Sequence, residues 1–141
     1  FNDTGNSRTK GWEYSHQFNS LESISHSISH AYVNAEDAAG ERRVRIPETE
    51  TRFRTLWTVS DPLLVVLDVR HTGSRLGNSD DLETGNFTVS DLFATYRISA
   101  KTALNVRIEN LTDTFYQDAV NASSGYATRG RSYYFTLHSE F

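Results

Sequence analysis

The chain has 141 residues and carries 14 Lys+Arg against 18 Asp+Glu, a formal net charge of −4 without the basic excess expected of a nucleic-acid binder. Hydrophobic residues make up 37% and the mean hydropathy is −0.55, so a conventional packed core is thin. The longest aliphatic run, Leu63 to Leu67, is far shorter than the roughly 20 residues of a membrane-crossing helix, and the lack of cysteine excludes disulfides, thiolate chemistry and Cys-ligated zinc.

Thr, Tyr, Phe, Trp and Val fit a pleated surface, and no stretch sustains a helical period, so the chain reads as all-β. Period-two alternation marks seven strands, at about 8–18, 21–34, 52–59, 63–74, 87–98, 103–110 and 130–141. The first sets Trp12, Tyr14, His16 and Phe18 against Glu13 and Gln17. In the second, the outward set is Ile24, Ile28 and Tyr32, but Ser23 to Ser29 alternates with Ile24, His26, Ile28 and His30, and there neither face is decisively apolar. The third opposes Phe53, Trp57 and Val59 to Arg54, and the fourth opposes Val65, Leu67 and Val69 to Asp68 and Arg70. The fifth carries Leu92, Ala94, Tyr96 and Ile98 against Asp91 and Arg97; the sixth carries Leu104, Val106 and Ile108 against Asn105, Arg107 and Glu109. The last places Tyr133, Phe135, Leu137 and Phe141 opposite His138 and Glu140. Nearly every mid-strand charge therefore falls on one face.

The connections alternate between short and long. Asn19-Ser20, Ser60-Asp61-Pro62 and Ser99 to Thr102 read as tight turns, whereas Ala35 to Thr51, Arg75 to Asn86 and Leu111 to Arg129 are long, polar and aperiodic. An antiparallel up-and-down meander with one short-turn rim and one long-loop rim is the pattern of an outer-membrane β-barrel, whose apolar face meets lipid and whose polar face lines a lumen. Alternation alone fits equally well a secreted β-sandwich that binds carbohydrate or protein. A small complete outer-membrane barrel, with one further strand before Phe1, is a third arrangement. The rim asymmetry and the aromatic last strand favour the large barrel.

That last strand, opened by Gly130-Arg131 and closed by Phe141, resembles the final strand of TonB-dependent outer-membrane receptors. The segment Glu109-Asn110-Leu111-Thr112-Asp113-Thr114-Phe115-Tyr116 is similar to that family's ENLxDxxY motif, with Glu109, Asn110, Leu111, Asp113 and Tyr116 at the matching positions. Weaker likenesses are Arg8 to Glu13, Ile46-Pro47, and Asp91 to Tyr96. The resemblance implies that residues 1–141 are the C-terminal segment of the barrel, about strands 16 to 22 of 22, with the plug domain and upstream strands absent. It implies a part in active uptake of a scarce ligand of the ferric siderophore, haem or cobalamin class, energised through TonB, with no catalysis and no cofactor. The implied partners are outer-membrane lipid, the barrel-assembly machinery, and, in the full-length parent, its own plug domain, TonB and the small-molecule ligand. Tyr133, Phe135, Leu137 and Phe141 match the terminal signal that the assembly machinery reads. Seven strands leave two unpaired edges, so the segment alone is not expected to work.

Arg54, Asp68, Arg70, Asp91, Arg97, Arg107 and Glu109 are the lumen-facing candidates for contact with an anionic ligand or the plug, or for simple pairing across strands. The acidic groups Glu36, Asp37, Glu41 and Asp80, Asp81, Glu83 lack the ligand spacing of a calcium loop. His26 and His30 lie four strand residues apart, about 13 Å, too far to share one ion. No metal site and no catalytic constellation is expected, and the sequons at Asn2, Asn86, Asn110 and Asn121 follow from abundant Ser and Thr.

Overall fold

The computed structural model describes residues 5–77, 82–121 and 124–140, all of them strand, turn or loop. In chain order the strands are β1 (Arg8–Leu21), β2 (Ile24–Glu36), β3 (Thr49–Ser60), β4 (Leu63–Thr72), β5 (Arg75–Leu76), β6 (Glu83–Thr84), β7 (Phe87–Ser99), β8 (Thr102–Glu109), β9 (Gln117–Asn121), β10 (Ser124–Ala127) and β11 (Ser132–Ser139). Seven of them form one antiparallel sheet in the order β1-β2-β3-β4-β7-β8-β11, the expected meander. The other four make two small ribbons, β5 with β6 and β9 with β10, inside the long connections expected to be irregular. Ribbon strands of two to five residues are too short for alternation to show in the sequence.

The first turn differs from its expected place. Asn19 pairs with Ser25 and Leu21 with Ile24, so β1 runs through Asn19-Ser20 and the chain reverses at Glu22-Ser23. A bulge between Asn19 and Leu21 absorbs Ser20, whose Oγ lies 2.9 Å from His26 Nε2. Asn19 is thus held in the ladder by the partner strand, and Ser20 is carried along as the unpaired bulge residue.

The register also decides the ambiguous second strand. Because directly paired residues share a face, the row Phe18, His26, Thr55, Leu67, Leu92, Ile108 and Tyr133 runs across the apolar side. The next row, Gln17, Ser27, Arg54, Asp68 and Asp91, runs across the polar side. The histidines of β2 therefore stand among apolar side chains, with Nδ1 of His26 3.0 Å from Thr55 Oγ1 and Nδ1 of His30 2.7 Å from Thr51 Oγ1. Their rings lie in an aromatic ladder: Phe18 is 4.9 Å and Phe53 5.6 Å from His26, and Trp12 is 5.1 Å from His30. A ring nitrogen matched by a cross-strand hydroxyl avoids the cost of a bare buried polar group. By sequence polarity these positions look undecided; in the sheet they belong to the apolar face.

The sheet has little conventional core. Among the described residues, the buried apolar side chains are Ala35, Phe87 and Val89, toward the long-loop end, whereas Trp12, Tyr14, Trp57, Tyr96, Tyr133, Phe135 and Leu137 stand exposed. A continuous exposed apolar face of this kind needs a non-aqueous partner. At Gly11 a Cβ would lie 2.3 Å from the backbone oxygen of Tyr32, so glycine permits the close approach of β1 to β2.

Candidate functional site

Two groups of residues singled out by sequence are brought together, one at the long-loop rim and one on the polar face. At the rim, β8 ends on Glu109 and the chain turns through Asn110 and Asp113, with φ of 52° and 55°. Asn and Asp tolerate this left-handed region better than most residues. The Asn110 side chain, in a residue only 3% exposed, spans the loop: Oδ1 accepts from the Thr114 N–H at 2.9 Å and Nδ2 donates to the Thr114 carbonyl at 2.9 Å. The backbone N–H of Asn110 donates to Asp91 Oδ1 on β7 at 2.8 Å, and that of Leu111 to the Ser90 carbonyl at 2.7 Å. Asp113 Oδ1 accepts from the backbone of Arg131 at 2.8 Å, and the Arg131 guanidinium donates to the Leu111 carbonyl at 3.3 Å. A Cβ at position 130 would sit 3.1 Å from Asp113 Oδ1, so a larger residue there requires that carboxylate to shift by a few tenths of an ångström. Tyr116 stacks on Phe87 with ring centroids 4.2 Å apart. The motif residues thus form a clasp that ties the β8–β11 connection to β7 and to the start of β11.

On the polar face, Asp68 of β4 is the centre of a guanidinium cluster. Its side chain is 8% exposed and receives Nε of Arg52 at 2.9 Å and Nε of Arg54 at 3.4 Å. A depression of about 480 Å³ opens beside them, with Ser15, Gln17, Ser27 and Ser29 in its wall. Arg70 sits on the same face, directly opposite Arg52 in the β3–β4 pairing. Arg52 escaped the sequence reading, although Arg52-Phe53-Arg54 alternates cleanly and puts both arginines opposite Phe53.

The other lumen-facing candidates are engaged in local contacts. Asp91 serves the clasp. The Arg107 guanidinium lies 4.3 Å above the Tyr134 ring and 3.3 Å from Glu109. Arg97 belongs to the short-turn rim, where its backbone N–H donates to the Pro62 carbonyl at 2.7 Å and its guanidinium to the Asp61 carbonyl. On the opposite face, Tyr133, Phe135 and Leu137 are paired with Ile108, Val106 and Leu104. Phe141, like Asp80 and Asp81, lies outside the described residues.

The long loops are stitched to one another. Arg42 lies 3.4 Å from both Glu48 and Glu83 and donates to the Ser74 carbonyl at 2.9 Å. The 2.6 Å hydrogen bond from Ser74, together with Arg42, holds the Glu83 carboxyl below its ordinary range against a smaller opposing desolvation effect. Asp37 Oδ1 accepts from the backbone of Ala39 and Glu41 at 2.9 Å, and Glu36 accepts from Asn34 at 2.9 Å. These carboxylates organise loops; no metal-holding group of His, Asp and Glu occurs among the described residues.

No known family model matches the chain. Solved structures do. The ferric-catecholate import receptor Fiu of E. coli K12 superposes with a TM-score of 0.80 at 21% identity, over 96% of this chain and 21% of that one. The ferric yersiniabactin uptake receptor FyuA of Yersinia pestis gives 0.82 at 18% identity, over 96% and 24%. The ferripyoverdine receptor of the Pseudomonas aeruginosa outer membrane gives 0.80 at 19%, over 96% and 20%. The fold is that of a TonB-dependent receptor barrel. The chain spans about a fifth to a quarter of the length of these receptors, as a segment of the receptor barrel does. Outer-membrane barrels turn an apolar face to lipid and a polar face to the lumen.

Proposed function

We propose that this chain is the C-terminal barrel segment of an outer-membrane receptor that imports a scarce ligand of the ferric siderophore, haem or cobalamin class into a bacterium. The full-length parent holds a plug domain in the lumen and draws energy through TonB; the segment contributes lumen wall and long loops and catalyses nothing. The observation that carries this reading is the sorting of one continuous sheet into a face of exposed apolar side chains and a face of arginines and carboxylates, in the fold of an import receptor. Deleting the parent gene should abolish growth on at least one member of a panel of ferric siderophores, haem and cobalamin supplied as sole source, with growth restored by the intact gene. Unchanged uptake of every member of that panel refutes the transport role.

The second part of the reading concerns assembly. Tyr133, Phe135 and Leu137 form an aromatic and aliphatic stripe on β11, which Phe141 extends in the sequence. This stripe is the signal by which the barrel-assembly machinery engages the last strand. Removal of Phe141 from the parent should lower its outer-membrane level several-fold, measured by immunoblot of isolated outer membranes; normal levels count against the assembly role.

A further inference from the structure

The geometry points to a two-point latch that ties the β2–β3 loop to the β4–β7 loop, so that the two move as one lobe at the cell surface. The surface position rests on the receptor reading; the latch itself does not. Long polar loops on a rigid scaffold open and close separately when few contacts cross between them. Here the crossing contacts fall at two points of different chemistry. One is a neutral backbone pin, in which the Arg45 N–H donates to the Leu76 carbonyl at 2.8 Å. Arg45 has φ of 65°, a conformation that a residue other than glycine keeps only where its surroundings hold it. The other is ionic: the Arg42 guanidinium reaches Glu83 at 3.4 Å and donates to the Ser74 carbonyl at 2.9 Å.

Both sides of the ionic point are braced. Behind Arg42, its backbone bridges to Glu36 at the end of β2, and the Arg43 N–H donates to the Ala35 carbonyl at 2.8 Å. Behind Glu83, the Ser74 hydroxyl donates to the same carboxylate at 2.6 Å, and pairing with Leu76 in the β5–β6 ribbon fixes its backbone. Groups already held in place lose little further freedom when they meet, which removes the main cost of a surface ion pair. The Ser74 carbonyl adds a charge-assisted hydrogen bond, and the Arg42 side chain is only 25% exposed. Glu48, 3.4 Å from Arg42 Nε, lies on Arg42's own loop and carries nothing across. Arg42 is therefore the releasable point, and the Arg45 pin is the hinge that stays. A ligand entering the lumen passes beside this lobe and not between its two loops.

Nitroxides on Ala39→Cys and Gly85→Cys, in the full-length parent made otherwise cysteine-free, report the separation of the loops by pulsed electron resonance. Ala39 is exposed, and an added Cβ at Gly85 meets nothing within 4 Å. The distance distribution should be narrow. Arg42→Ala should broaden it about two-fold or more, and Glu83→Gln, which keeps an acceptor for Ser74 but loses the charge, should broaden it less. Glu48→Gln should match wild type. A heat-dependent gel shift identifies the folded barrel in each sample. A broad distribution in the folded parent, or an unchanged one in folded Arg42→Ala, overturns the latch. On intact cells, a flexible bismaleimide joining the two cysteines should leave uptake of ferric siderophores, haem and cobalamin as it is in single-cysteine controls. Uptake lost only on cross-linking shows that the loops must part, and overturns the single lobe. If an impermeant maleimide reaches neither cysteine on intact cells, or the untreated parent takes up no panel ligand, the receptor reading falls and the distance measurement alone decides the latch.

Discussion

Replacing Asn110 by Ala is expected to destabilise the full-length barrel by about 2–4 kcal/mol, the largest effect of any single substitution at the long-loop rim. The side chain bonds both the N–H and the carbonyl of Thr114, and its removal leaves these two groups without their partners in a part-buried loop. Alanine also adopts the left-handed conformation less readily than asparagine, and the backbone here has φ of 52°. Asn110→Gly relieves the conformational strain but still lacks both hydrogen bonds, so it should fall between alanine and wild type. Asn110→Asp keeps one acceptor and loses the Nδ2 donor. Urea unfolding of the reconstituted receptor ranks the series. If Asn110→Ala unfolds within about 0.5 kcal/mol of wild type, the clasp does not hold the loop and the motif needs another explanation.

The second prediction tests which face meets lipid. Val106 lies between Ala94 of β7 and Phe135 of β11 on the apolar side, whereas Thr136 lies beside Asn105 on the other. Val106→Arg should cost about 2–4 kcal/mol near the bilayer midplane and reduce insertion into lipid vesicles, because the guanidinium loses its water. Thr136→Arg introduces the same charge one row away, toward an aqueous lumen, and should change stability by less than about 0.5 kcal/mol. Equal losses from both would remove the distinction between the faces. A larger loss from Thr136→Arg would make the polar face the buried one and return the molecule to a sandwich-like packing.

Much of this fold was legible in the sequence because the side-chain period of a strand is two, and one displaced residue would have put Arg107 or Asp68 among the lipid-facing aliphatics. The strand set followed from that constraint, as did the separation of Val65, Leu67 and Val69 from Asp68 and Arg70. Two elements resisted for identifiable reasons. Asn19-Ser20 has turn chemistry, yet a bulge at Ser20 lets β1 continue, and bulges leave no mark in an alternation pattern. In β2, His26 and His30 count as polar when read alone; only the cross-strand threonines on β3, distant in sequence, make them acceptable on the apolar side. The motif at Asn110 and Asp113 was visible as a pattern, but its work depends on Asp91, Ser90 and Arg131, brought together by β7–β8 and β8–β11 pairing. The Asp68 cluster was half visible: Arg54 and Asp68 were marked by alternation, whereas Arg52, the nearer partner, was not, and the pairing itself depends on register.

The bulge in β1 has counterparts. β3 shifts register between Thr58 and Ser60, and β7 between Arg97 and Ser99. In all three hairpins the irregularity falls on the strand that enters the short turn, one to four residues before the reversal at Glu22-Ser23, Asp61-Pro62 or Ala100-Lys101. Among the described residues, the main sheet is therefore three repeats of one two-stranded unit followed by a single strand. Such a unit begins and ends at the same rim and contains an up-stroke and a down-stroke. Gaining or losing a whole unit leaves the direction and facing of every other strand as it was. Gaining or losing half of one would invert the direction of everything downstream. The architecture can thus change its circumference in steps of two at little structural cost, while single-strand steps are closed to it.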